Sequence, residues 1–123
     1  MFIQRNDDTT EAQRVVFEKA VAAGATLLYG TDGGVLPHDM GGWQFEILVE
    51  RRMPPMPAIT SATSVAAKHM GLDNEIGALR MGLRADIVAV RGDPLADITI
   101  LRSVSLVIKD GVLIKDPEQP SSR

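Results

Sequence analysis

Apolar residues recur at helical spacing through residues 10–23, where Ala12, Val15, Val16, Ala20 and Ala23 alternate with charged positions. Thr9 and Thr10 precede this stretch and can act as N-caps, Glu11 suits the first turn, and Gly24 suits the C′ position. The next run, Ala25-Thr26-Leu27-Leu28-Tyr29, is apolar on both faces and lies between two glycines, which predicts a buried parallel strand. A loop rich in Gly, Asp and Pro follows over residues 30–42. Residues 43–52 read as a second helix, broken by Pro54, Pro55 and Pro57. A third helix is expected from Pro55 to residue 62, since proline is tolerated in a first turn. Thr63 is the expected N-cap of a fourth helix that stops at Gly71.

Beyond Gly71 the pattern changes period. Residues 77–79 are a short strand candidate, 80–82 a turn, and 85–90 a strand with alternating character. Residues 91–98 read as loop. Residues 103–109 and 112–114 flank Asp110-Gly111, the favoured two-residue turn of a β-hairpin. The third strand, 85–90, is expected to join them in one antiparallel-containing sheet. Residues 116–123 read as a frayed tail. The chain thus divides into an α/β segment (1–75), a small β segment (76–115) and a tail (116–123). A single strand–helix unit leaves two unpaired strand edges and two apolar faces, so the pattern predicts the end of something larger.

Composition narrows the function classes. The 123 residues fit one domain, and 45% hydrophobic with 24% charged residues excludes a wholly disordered chain. A net charge of -3 argues against nucleic acid as a partner. The absence of Cys excludes disulfides, thiolate metal sites and a Cys nucleophile. No apolar run approaches the roughly 20 residues that span a bilayer, and the polar N-terminus does not read as a signal peptide. A cytoplasmic location without membrane contact is the expectation.

Asp32 is the leading candidate for chemistry. It follows the predicted strand at the end where parallel α/β proteins place ligands, and its carboxylate suits zinc or a harder divalent ion. The alternative is that it caps a turn. His38 suits metal binding, proton transfer or a hydrogen bond to substrate, with an exposed loop His as the alternative. His69, late in a predicted helix, reads as structural, as do Asp86 and the Gly92-Asp93-Pro94 turn. Trp43 reads as a helix-packing residue.

Gly30-Thr31-Asp32-Gly33-Gly34 with Pro37-His38 resembles the end of the eighth barrel strand and its loop in the amidohydrolase superfamily. The resemblance continues through Ala62-Thr63-Ser64-Val65-Ala66-Ala67, Ile76-Gly77, Ala85-Asp86-Ile87-Val88-Ala89-Val90, Gly92-Asp93-Pro94-Leu95-Ala96-Asp97 and Val107-Ile108-Lys109-Asp110-Gly111. The branch it is most similar to is the imidazolonepropionase-like group that includes Xaa-Pro dipeptidase-like enzymes. The resemblance implies an α/β fold: the C-terminal part of a TIM (β/α)8 barrel, then strands of a small β-sandwich domain. It implies hydrolysis of a C–N bond in an amide or dipeptide by water activated at one or two divalent metals, usually zinc. It gives Asp32 the roles of metal ligand and proton acceptor, and His38 a substrate contact. Gly33-Gly34 and Arg52, where a glycine is usual, depart from the family pattern. So do the absence of a His-x-His pair and a length about one third of the family's. The resemblance therefore implies a C-terminal portion with a missing N-terminal segment, and the unpaired strand edges predict an oligomer in isolation. The competing reading is a non-catalytic folding or assembly module; a free-standing ligand-binding domain is weaker still.

Overall fold

The computed structural model describes residues 7–31 and 41–116. Four helices come first: α1 (Asp7–Ala22), α2 (Trp43–Glu50), α3 (Pro55–Ser61) and α4 (Ser64–His69). Strands β1 (Ile87–Val90), β2 (Val104–Lys109) and β3 (Val112–Lys115) follow, with a 3₁₀ helix over Ile98–Arg102 between β1 and β2. The chain is thus α/β in content, with a three-stranded antiparallel sheet in the order β1-β2-β3.

The helix boundaries follow local chemistry. α1 begins at Asp7, so Thr9 and Thr10 lie within it and do not cap it. α3 opens with Pro55 at its start. Thr63 precedes α4, yet its hydroxyl donates backwards to the Ile59 carbonyl at 3.0 Å and caps nothing. Three helices close with the same pair of backbone bonds. After α1 these are Gly24 N to Val21 O and Ala25 N to Ala20 O; after α4, Gly71 N to Lys68 O and Leu72 N to Ala67 O. After α2 they are Arg52 N to Val49 O and Met53 N to Leu48 O. This Schellman arrangement puts the C′ residue in the left-handed region, which favours glycine. Gly24, Gly71 and Arg52 all have φ of 70°.

Two strand expectations fail. Residues 25–29 join no ladder; the backbone bonds there are Ala25 N to Ala20 O and Tyr29 N to Ser61 O. The physical reason is the lack of a neighbouring strand: the sheet of this chain lies elsewhere. Residues 77–79 form no strand, and the chain bends at 77 and 78, where Gly77 packs flush on α4 and an added Cβ would lie 2.6 Å from the Ala67 Cβ.

The hairpin forms as the Asp-Gly pair dictates. Asp110 and Gly111 take φ of 51° and 78°, the positive pair of a type I′ turn. β1 pairs with β2 through Ile87–Ile108, Val88–Val107 and Ala89–Leu106, and β2 pairs with β3 through Ile108–Leu113 and Lys109–Val112. The β1–β2 register shifts at Ala89/Val90, where the Ser105 hydroxyl donates to the Ala89 carbonyl at 2.9 Å. Asp86 ties the turn to β1, accepting from Asp110 N at 2.8 Å and Lys109 Nζ at 2.7 Å. The core is small: Met53, Ala58, Ser61, Ala67 and Ile98 are the buried residues among those described. It lies between α2, α3, α4 and the 3₁₀ helix, where alanine and serine let backbones approach closely.

Candidate functional site

The described residues nearest the candidate site are 29–31 and 41–46, which flank the segment holding Asp32 and His38. Both candidates lie outside the described residues. The flanks are tied to each other. Tyr29 Oη donates to the Gly41 carbonyl, and Gln44 Nε2 donates to the Gly30 carbonyl at 2.8 Å. The Tyr29 and Phe45 rings stack with centroids 4.7 Å apart. Burial pushes the Tyr29 phenol pKa up from a value already well above neutral, so the hydroxyl is a donor at neutral pH. Thus the residue before Thr31 and the residue before Gly42 are drawn together by side chains fourteen and twelve positions away.

A second set of contacts seats the start of α2 on the 3₁₀ helix. The Arg102 guanidinium lies 3.8 Å above the Trp43 ring and pairs with Glu46. Glu46 Oε2 and Arg102 Nε are shielded from water and have no hydrogen-bond partner among the described residues. Gly42 allows the approach: a Cβ there would lie 2.4 Å from the Leu101 carbonyl oxygen. The composition of the chain gave no sign of this junction. Glu46, Arg102, Tyr29 and Gln44 stand at unremarkable positions, and the sequence reading has a loop over residues 91–98 and assigns no element to residues 99–102.

The remaining sequence candidates have structural partners. His69 Nδ1 lies 3.1 Å from the Val65 carbonyl, one turn back in α4. Asp93 accepts from Leu95 N, and Asp97 accepts from Thr99 N and Thr99 Oγ1. Hydrogen bonds from Thr99 hold the Asp97 carboxyl below its usual range. No group of three or more His, Asp or Glu that could hold a metal occurs among the described residues. A cavity of about 580 Å³ beside Arg91, Thr99, Arg102, Ser103 and Ser105 has no acid or imidazole in its lining. No helix among the described residues is long and apolar enough to cross a membrane.

Residues 2–114 match the Amidohydrolase family, and the chain belongs to it. A solved Xaa-Pro dipeptidase with methionine bound in its active site is 40% identical, with a TM-score of 0.79 over 83% of this chain and 25% of that one. A prolidase complexed with N-methylphosphonate-L-proline is 31% identical, with a TM-score of 0.70 over 84% of this chain and 26% of that one. The ochratoxinase of A. niger is 32% identical, with a TM-score of 0.76 over 89% of this chain and 26% of that one. The chain therefore spans about a quarter of the length of these structures. No curated protein matches it.

Proposed function

We propose that this chain is the C-terminal portion of a metal-dependent amidohydrolase that hydrolyses C–N bonds of amide or dipeptide type. The observation that carries this reading is the double tie across the segment bearing Asp32. Tyr29 and Gln44 fix both flanks of a carboxylate that the family pattern assigns to metal and to the proton of the attacking water. Residues 1–75 would form the end of the barrel, 76–115 strands of the small β domain, and 116–123 a tail. A dipeptide is the favoured substrate class, because the neighbours include an Xaa-Pro dipeptidase and a prolidase. His38 would contact substrate.

A metal, with zinc the favoured ion, would supply water made nucleophilic near neutral pH. A catalytic zinc site uses about three protein ligands. Asp32 and His38 are too few, and the described residues add no cluster. Hydrolysis therefore requires the rest of an amidohydrolase, and the purified 123-residue chain is expected to show none.

The test is a chimera in which this chain replaces the corresponding C-terminal quarter of the Xaa-Pro dipeptidase. The expected result is hydrolysis of Xaa-Pro dipeptides that a chelator abolishes and Asp32→Asn reduces by orders of magnitude. A folded chimera with turnover indifferent to Asp32→Asn would overturn the catalytic reading. It would favour the second one, an assembly module, which the solvent-facing apolar side of α1 supports: Val16 is 66% exposed.

A further inference from the structure

The crossing from β1 to β2 gathers positive charge on a chain that is acidic as a whole. The net charge is -3, yet the open cavity of about 580 Å³ at this corner is lined by Arg91 and Arg102 and by no acid. The strand register explains how this corner is built. Val90 pairs with Val104 at the last rung of the β1–β2 ladder, so Arg91 and Ser103 are the next residues on the two sides. Gly92, with φ of 107°, then turns the chain out of the strand. The 3₁₀ helix ends at Arg102, which brings a second arginine to the same corner.

Most polar groups at the cavity already have partners, and the exceptions define what it can hold. Thr99 Oγ1 donates to Asp97 at 2.6 Å, and Ser105 Oγ donates to the Ala89 carbonyl at 2.9 Å, so both hydroxyl protons are engaged. Arg102 pairs with Glu46 and lies over Trp43, and neither of those α2 residues lines the cavity. The acids of the connecting loop also stay outside the lining: Asp93 accepts from Leu95 N, and Asp97 from Thr99. Arg91, by contrast, makes no ion pair and no side-chain hydrogen bond among the described residues, and neither does the Ser103 hydroxyl. One guanidinium and one hydroxyl are therefore left as donors without an acceptor. Two arginines against Glu46 leave one positive charge uncompensated, which matches a monoanion. An arginine fork meets a carboxylate through two parallel hydrogen bonds. Ile100 and Val104 add apolar wall. The volume falls in the range of small-molecule pockets, roughly 300–1,000 Å³, and leaves room for a body behind the charged group.

We propose that this cavity binds a small organic monocarboxylate with a branched apolar body and no free amino group. Arg91 holds the carboxylate, the Ser103 hydroxyl donates to it, and Ile100 and Val104 pack against the body. Arg102 adds attraction at longer range. An ammonium on the ligand would find no acid in the lining and would lie near two arginines, so a zwitterionic amino acid is disfavoured. A bare phosphate carries more charge than the site leaves uncompensated, and it would make no use of the apolar wall. The inference rests on no part of the amidohydrolase reading, and the two stand or fall separately.

The experiment is a titration of the isotope-labelled 123-residue chain with isocaproate at fixed ionic strength, followed by amide chemical shifts. Saturable shifts are expected at Arg91, Thr99, Ser103 and Ser105, with a dissociation constant of about 1 mM or lower. Asp110 and Gly111, at the opposite end of the sheet, should not move. The neutral isostere isocaproamide should shift nothing. Leucine, which adds an ammonium to the same body, and inorganic phosphate, which lacks the body, should each bind at least tenfold more weakly. Arg91→Gln removes an exposed side chain that has no partner among the described residues, so the circular dichroism spectrum should be unchanged while binding weakens at least tenfold. Ser103→Ala should weaken it severalfold. The absence of saturable shifts up to about 10 mM would overturn the proposal. So would equal binding of the amide, equal binding of phosphate, which would mark diffuse charge attraction only, or an isocaproate response indifferent to Arg91→Gln.

Discussion

Arg52 takes a backbone conformation that glycine takes at no steric cost. Its φ of 70° matches those of Gly24 and Gly71 at the same C′ position of their helices, and a side chain in that region costs about 1–2 kcal/mol. Its ion contact with Glu18 is at 3.6 Å on a side chain 78% exposed, so it offsets little of that cost. Arg52→Gly should therefore stabilise the chain by about 1 kcal/mol, read as a higher urea midpoint with an unchanged slope. The family pattern, which has glycine there, was legible in the sequence; the reason for it, a Schellman closure before the buried Met53, needed coordinates. Asp86 makes the opposite kind of contribution. The hydrogen bond from Lys109, then that from the Asp110 amide, hold its carboxyl below the usual carboxylate range. A folded-state pKa below the unfolded one, near 4, stabilises the fold above about pH 4. That stability is lost as pH falls through the depressed folded value. Thermal melts of the hairpin should show this loss on acidification, and Asp86→Asn should lower the melting temperature at neutral pH and flatten the acid limb.

At the scale of elements, the sheet and the helices were readable because their signals are local. Asp110-Gly111 fixes a turn, and prolines and glycines fix the ends of α2, α3 and α4, without reference to distant parts of the chain. The 25–29 strand and the 3₁₀ helix were not readable for the converse reason. A strand needs a partner, and the run of Ile98–Arg102 is ordered by Asp97, which accepts from Thr99 N, and by contacts with α2. The candidate site was read only as residue types, Asp32 and His38, and both lie outside the described residues. What the structure adds is their frame, in Tyr29, Gln44, Gly42 and Arg102, none of which carries a motif. The link between α2 and the 3₁₀ helix can be tested through Trp43, the chain's single tryptophan. Arg102→Ala removes the cation from its ring and leaves the half-buried Glu46 unpaired, at a cost of about 1–3 kcal/mol. The expected outcome is a changed Trp43 emission together with faster amide exchange over residues 41–46. Unchanged emission would show that the stacking is absent in solution.

At the scale of the whole molecule, the surface left open by α1 and the sheet has a calorimetric consequence. The heat capacity gained on unfolding comes from wetting apolar groups that the fold had kept dry. Val16, Leu28, Val88, Val112 and Ile114 are already at least half wet in the native chain. Melting therefore has less to hydrate. The unfolding heat capacity should fall below the about 12–15 cal/mol/K per residue common to compact domains, and the denaturant slope should be correspondingly shallow. A flatter stability curve follows, so that warming and cooling near room temperature change the population of folded chain only slightly. Scanning calorimetry of the isolated chain would reveal this directly.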